Sequence, residues 1–180
     1  MIERHGPASR PASTQVPEAV DPERFRAVVG RFASGVAVVS TRFDDRLFGT
    51  TVSAVSSLSA EPPMMLVCLN RASTTHDAVM RSGRYAISVL AADQDDLARH
   101  FSRTGTDKFA DVDHVVTDHG LPTLTNALAT LQCLVEEVAT GGTHTVFLGR
   151  VLDVGAREGE PLAYYRGAFS RLARAERPPT

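Results

Sequence analysis

The chain of 180 residues has no run of lysine and arginine, no long apolar segment and only two cysteines, and each scarcity narrows what it can be. With a formal net charge of −2, it lacks the electrostatic footprint that grips a phosphodiester backbone, so nucleic acid is not an expected partner. Apolar runs such as Met64 to Leu69 fall far short of the roughly 20 residues a membrane-spanning helix needs. The first residues contain no apolar signal core, and a cytoplasmic protein with no membrane attachment is the expectation. Cys68 and Cys133 each sit in an apolar, strand-like run without Cys or His at zinc-like spacing, so both are expected as buried free thiols. The six histidines, His5, His76, His100, His114, His119 and His144, form no HExxH or other paired pattern, and no metal site is expected. Missing too are a GxGxxG after the first strand and a GxxxxGK[ST], so any nucleotide must be held by something other than a Rossmann crossover or a P-loop.

What is present suits one globular domain: 43% hydrophobic and 22% charged residues. Met1 to Val20 mixes Pro, Ala, Ser, Arg and Gln without an apolar period, and reads as a disordered tail. The domain is expected over residues 21–172, with 173–180 a second tail. Asp21-Pro22 is an N-cap followed by proline at the first helical position, and Phe25, Val28, Val29 and Phe32 repeat at helical spacing, predicting an amphipathic helix ended by Gly35. Val36 to Thr41 and Leu47 to Leu58 then form a hairpin about Asp44-Asp45, and Glu61-Pro62-Pro63 interrupts the chain before a buried strand at Met64 to Leu69. A short helix follows, capped by Ser73 or Thr74, with Asp77 completing a capping box from Thr74 and Gly83 as its stop. Tyr85 to Leu90 is a strand, Asp93 to Phe101 a helix, and Gly105 to His119 irregular. Leu131 to Val138 and Thr145 to Val154 complete a second hairpin around Gly141-Gly142. Strands follow strands with helices inserted between pairs, which predicts a mainly β, antiparallel architecture and argues against a doubly wound sheet.

Two clusters are candidates for chemistry. Gly49-Thr50-Thr51-Val52-Ser53-Ala54-Val55-Ser56-Ser57 is dense in small and hydroxyl residues, which let a planar ligand approach the backbone while amides and hydroxyls meet its polar edge. An ordinary Ser/Thr-rich strand has the same composition. Arg71-Ala72-Ser73-Thr74-Thr75 sets a guanidinium and hydroxyls at a helix start, where free N–H groups favour an anion; plain helix capping is the competing reading.

In order along the chain, Phe32 to Thr41, Thr51 to Ser59, Pro62 to Arg71, Asp107-Lys108-Phe109, Gly120-Leu121-Pro122, Leu131 to Glu136, Gly142 to Val151 and Pro161 to Gly167 resemble the flavin reductases that serve two-component flavin monooxygenases. The resemblance spans about Phe25 to Phe169. It implies a Greek-key split barrel of the FMN-binding type, a homodimer with FMN or FAD in a cleft near the subunit interface, and NADH or NADPH as hydride donor. Reduced flavin would pass to a separate monooxygenase. On the same footing Thr51, Val52, Ser53 and Ala54, with Thr50 beside them, would line the isoalloxazine. Ser56 and Ser57 would reach the ribityl chain or phosphate, and Arg71, Ser73 and Thr74 would clamp phosphate. His100-Phe101 matches a position beside the flavin, although core packing is an equal reading of Phe101. His144 resembles the family's histidine near the nicotinamide, and Tyr164, Tyr165 and Arg166 the segment that helps hold the nicotinamide nucleotide.

The chain departs from the pattern in three places: Thr143 stands where an acidic residue commonly precedes the histidine, Ala33-Ser34 where Pro-Thr is common, and Ser53 where an amide is frequent. Flavin preference and nicotinamide affinity stay open on that account. Hydride transfer from nicotinamide C4 to flavin N5 draws its electronics from the cofactors, so the absence of a catalytic triad is no obstacle. A non-catalytic flavin-binding or electron-transfer protein would keep the flavin clusters without needing His144. An oxidase of the pyridoxamine-phosphate type would need a basic C-terminal pocket, for which the chain offers Arg166, Arg171 and Arg174.

Overall fold

A computed structural model describes residues 19–105 and 107–172; the two expected tails lie almost wholly outside them. Helix α1 (Pro22–Val29) starts where its signals place it, the Asp21 carboxylate accepting from the Arg24 amide at 2.8 Å. It stops at Gly30, short of the expected Gly35. Glycine is a poor helix former, and the Gly30 carbonyl is taken by the Arg166 amide at 2.8 Å, which draws the chain away from the helical path. Gly35 is instead in β1 (Ser34–Gly35).

Strands β2 (Ala37–Phe43) and β3 (Arg46–Val52) form the expected hairpin, with Asp44 and Asp45 both at positive φ. The alternating run to Leu58 is two strands and not one: it breaks at Ser53-Ala54, and β4 (Val55–Ala60) begins beyond. Strand β5 (Pro63–Asn70) pairs back on β4. In helix α2 (Thr74–Ser82) the N-cap is Ser73, whose hydroxyl accepts from the Thr75 amide, so no capping box forms from Thr74. The Asp77 carboxylate meets His76 Nδ1 at 2.9 Å instead. Gly83 ends α2 in the left-handed conformation, φ 66°.

Then come β6 (Arg84–Val89), α3 (Asp95–Ser102), β7 (His114–Val116), which forms inside the stretch expected to be irregular, and β8 (Pro122–Leu124). The long hairpin β9 (Ala129–Gly141) and β10 (His144–Ala156) turns over only Gly142-Thr143. β11 (Leu162–Tyr165) and β12 (Ala168–Arg171) close the described chain. No helix among the described residues is long and apolar enough to cross a membrane.

The main sheet has seven antiparallel strands in the order β3-β2-β6-β9-β10-β5-β4. Its two edge strands are consecutive in sequence, so the corner Ser53-Ala54 bends the sheet round into a split barrel whose seam lies between β3 and β4. Alternate residues point inward: Ala37, Val39, Val67, Leu69, Tyr85, Ile87, Cys133 and Phe147 form one buried cluster with Val79 of α2. Gly149 makes room for Tyr85 in this cluster, because a Cβ there would stand 2.3 Å from the tyrosine hydroxyl. Burial pushes the Cys133 thiol up to about 11 and the Tyr85 hydroxyl further still above its ordinary value. Cys133 is thus the buried free thiol expected, whereas Cys68 is half-buried.

The opposite face of the sheet builds a second core. Val36 and Val38 meet Leu90, Ala98, Phe101, Phe109, Leu124, Ala127 and Leu162, and so seat α3 and the chain that follows it. The small sheet β1-β11-β12 lies alongside.

Candidate functional site

The end of β3 turns outward beneath α3. Thr51 points to that side, and its hydroxyl donates to the Ala98 carbonyl of α3 at 2.7 Å. Tyr164 of β11 and Phe169 of β12 are cross-strand partners with ring centroids 5.7 Å apart. Between these elements runs a slot of about 360 Å³ lined by Val36, Thr51, Val52, Ser53, Arg99, Ser102, Tyr164, Gly167 and Phe169. Its size, aromatic floor and few polar groups are those of a small-molecule site. The Ser53 hydroxyl has no partner among the described residues and is free to meet a ligand edge.

Of the residues singled out in sequence, Thr51, Val52, Ser53 and Tyr164 therefore come together. Thr50 does not line the slot, since the strand pleat turns it to the other face from Thr51. Ala54 sits at the corner, its carbonyl accepting from the Cys68 amide at 3.0 Å. Ser56 and Ser57 lie exposed on edge strand β4, outside the slot.

The second cluster assembles at the barrel end. The Arg71 amide donates to the Thr143 carbonyl at 3.0 Å, and His144 opens β10 directly opposite Asn70. This puts Arg71 beside Thr143 and His144 at the end of the β5–β10 ladder, while Ser73 and Thr74 follow at the start of α2. The Arg71 side chain is exposed and has no ion-pair partner among the described residues, so its charge is available. The His144 Nδ1 faces the Thr143 hydroxyl at 3.0 Å, which leaves Nε2 as the open edge of the ring. Behind it, His76 Nε2 meets the Thr145 hydroxyl at 2.9 Å. Since the Asp77 carboxylate can only accept, His76 Nδ1 carries the proton and Nε2 accepts from Thr145, which ties α2 to β10. Thr74 itself also borders a smaller cavity of about 120 Å³ with Arg46, Phe48, Gly49 and Lys108.

Four residues occupy other places than their sequence neighbours suggested. Phe101 is fully buried in the second core and cannot touch a ligand, so packing is its role. His100 turns its Nε2 to the Lys108 carbonyl at 2.8 Å, edge-on to Phe101. Arg166 occupies the β11–β12 turn at φ 51° and, like the neighbouring Tyr165, does not line the slot.

Arg99, Ser102, Gly167 and Phe169 are slot residues that sequence reasoning missed. Helical spacing offered a faint signal for one of them, because Arg99 stands four residues after Asp95 on α3. Lys108 supports the wall from behind, its amine donating to the Gly49 carbonyl at 3.1 Å and the Phe101 carbonyl at 2.9 Å. Desolvation there lowers its pKa from the ordinary lysine value.

Residues 29–173 match the family described as the flavin reductase like domain. The chain is 45% identical over 162 residues to the reductase component of 4-nitrophenol 4-monooxygenase/4-nitrocatechol 2-monooxygenase from Rhodococcus opacus, covering 90% of this chain and 87% of that one. It is 36% identical to the FMN reductase (NADH) SmoA of Agrobacterium fabrum, over 88% of this chain and 91% of the relative. Among solved structures, the NADH:FAD oxidoreductase SgcE6 of Streptomyces globisporus in complex with NAD and FAD fragments superposes with a TM-score of 0.83. That match has 33% identity and covers 89% of this chain and 99% of the other.

Proposed function

The chain belongs to the flavin reductase like domain family, and on that premise we propose that it passes hydride from NADH to FMN or FAD and supplies the reduced flavin to a separate monooxygenase. The observation that carries this reading is the slot, in which the end of β3 faces an aromatic floor at the place where the sequence resemblance expects the flavin ring. Relatives that share most of the chain are named as reductase components and as NADH-dependent flavin reductases.

Bound flavin and reduced nicotinamide would supply the redox chemistry. The chain's residues hold, orient and dehydrate. Val52 and Val36 give the slot an apolar wall, Tyr164 a flat one, and Ser53 a hydroxyl for the polar edge of a ring. Arg71, with Ser73 and Thr74 at the start of α2, holds the flavin phosphate, where the guanidinium and the positive end of the helix dipole favour an anion. His144 orients the nicotinamide carboxamide through its open Nε2, while the Thr143 hydroxyl steadies the other nitrogen.

The working species in this reading is a homodimer. Supporting it, α1 buries none of its residues, and Phe25, Val28, Val29 and Phe32 leave an apolar face exposed, Phe32 at 78%. Light scattering on a gel-filtration column is expected to give twice the chain mass, and a Phe25→Glu/Phe32→Glu variant is expected to give the monomer. A monomeric wild type at micromolar concentration would remove this part of the proposal.

The enzymatic reading is tested by following NADH absorbance with FMN, FAD and riboflavin as acceptors. Flavin-dependent oxidation is the expected result; no turnover with any flavin and either NADH or NADPH overturns it.

A further inference from the structure

Arg166, the basic residue that the sequence associates with the nicotinamide nucleotide, lies outside the slot. Among the described residues lining the slot, Arg99 alone carries charge. It reaches the slot from the middle of α3, and two contacts hold it. Its guanidinium carbon stands 5.0 Å from the centroid of the Phe169 ring, and its Nη2 lies 3.6 Å from the Asp95 carboxylate. The guanidinium lies over the Phe169 ring, a cation–π contact that restricts where it can sit. The contact with Asp95 is too long for a hydrogen bond, so it leaves the guanidinium donors free, although the carboxylate competes for the charge.

The other side-chain donors of this wall are spent. The Ser102 hydroxyl donates to the Arg99 carbonyl at 2.8 Å and the Thr51 hydroxyl to the Ala98 carbonyl at 2.7 Å. Free donors on the α3 side therefore belong to the guanidinium, a planar fork whose shape matches phosphate oxygens. The anion candidates assigned to the flavin phosphate, Arg71, Ser73 and Thr74, stand at the barrel end and line no part of this slot. One chain thus presents two separate phosphate-type sites, and a phosphorylated flavin and a nicotinamide nucleotide each require one.

We propose that Arg99, held over the Phe169 ring, binds the phosphate of the nicotinamide nucleotide and thereby distinguishes a nucleotide hydride donor from a bare dihydronicotinamide. The assignment rests on the reductase reading above. Arg99 is a binding residue here and takes no part in moving the hydride.

The test compares wild type with Arg99→Gln using riboflavin as acceptor, which removes the flavin phosphate from the comparison. The donors are NADH, reduced nicotinamide mononucleotide and the phosphate-free 1-benzyl-1,4-dihydronicotinamide. Loss of a charge-assisted hydrogen bond predicts that KM for both phosphate-bearing donors rises about tenfold or more in Arg99→Gln. Turnover with the benzyl donor should fall far less, so that the NADH-to-benzyl ratio of kcat/KM drops about tenfold or more. Calorimetric binding of NAD⁺ should weaken by the same factor as the NADH KM. A second variant, Asp95→Asn, removes the competing carboxylate and is expected to lower the NADH KM.

An equal loss with the benzyl donor would make Arg99 a structural residue and overturn the proposal. So would an unchanged NADH KM, or an Asp95→Asn variant as impaired as Arg99→Gln. Repeating the comparison with FMN adds one more arm: a defect that appears with FMN and is absent with riboflavin would reassign Arg99 to the flavin phosphate. Wild type that turns over no donor at all overturns the reductase reading itself and this assignment with it.

Discussion

Phe101→Ala is expected to cost the fold about 3 to 5 kcal/mol, the range for emptying a fully buried phenylalanine site. The ring has no exposed surface and sits edge-on to Phe109 at 5.0 Å and to His100 at 5.3 Å. On the sheet the ring lies against Gly49, where even a single Cβ would approach it to 2.7 Å. Glycine has no side chain with which to fill the vacated space, and the strand backbone cannot sag into it without giving up the β2–β3 ladder. The cavity therefore persists, which places the cost toward the upper part of the range. Urea unfolding monitored by circular dichroism measures it, as a fall in midpoint at constant slope. A loss below about 1 kcal/mol would show that α3 settles onto β3 and that the close contact at Gly49 is not what holds the wall of the slot.

The second large effect is on flavin selection. Arg71→Ala is expected to weaken FMN binding about tenfold to a hundredfold, equivalent to the roughly 1.5 to 3 kcal/mol of a hydrogen bond to a charged group, while leaving riboflavin unaffected. The exposed guanidinium has no carboxylate partner among the described residues, so removing it leaves no buried charge behind, and the loss reports ligand contact alone. Its backbone bond to the Thr143 carbonyl survives the substitution, which keeps His144 in place. Fluorescence titration with the two flavins decides the matter. Equal weakening of both would mean that Arg71 shapes the site without reading phosphate. The salt dependence should follow the same division, with FMN affinity falling as ionic strength rises and riboflavin affinity flat.

The two sites differ in how they are built, and this accounts for what could be read in advance. The proposed phosphate side is local: Arg71, Ser73 and Thr74 lie within four residues at a helix start, a place that favours an anion. Short-range signals of this kind also placed α1, the Asp44-Asp45 turn, Gly83 and the last long hairpin. Where they misled, a competing partner intervened, distant in sequence at the end of α1 and adjacent in sequence at the start of α2. Arg166 takes the Gly30 carbonyl and ends α1 early, and His76 takes the Asp77 carboxylate from the expected capping box. The run from Leu47 to Leu58 alternates as one strand does, yet the barrel must turn its seam somewhere, and it turns at Ser53-Ala54.

From the sequence by itself follow the mainly antiparallel β architecture, the family resemblance and the two candidate clusters, because alternation, capping and motif order are properties of contiguous residues. Only the tertiary structure decided the membership of the slot. Thr51 to Ser53, Arg99 and Ser102, and Tyr164 to Phe169 come from segments separated by some 45 to 60 residues, brought together when β3 rolls under α3 and the β11–β12 pair docks alongside. The direction in which a side chain points depends on what packs against its element. For that reason Phe101 went to the core, Arg166 to a turn, and Arg99, one helical step before the His100-Phe101 pair that the sequence had marked, into the slot.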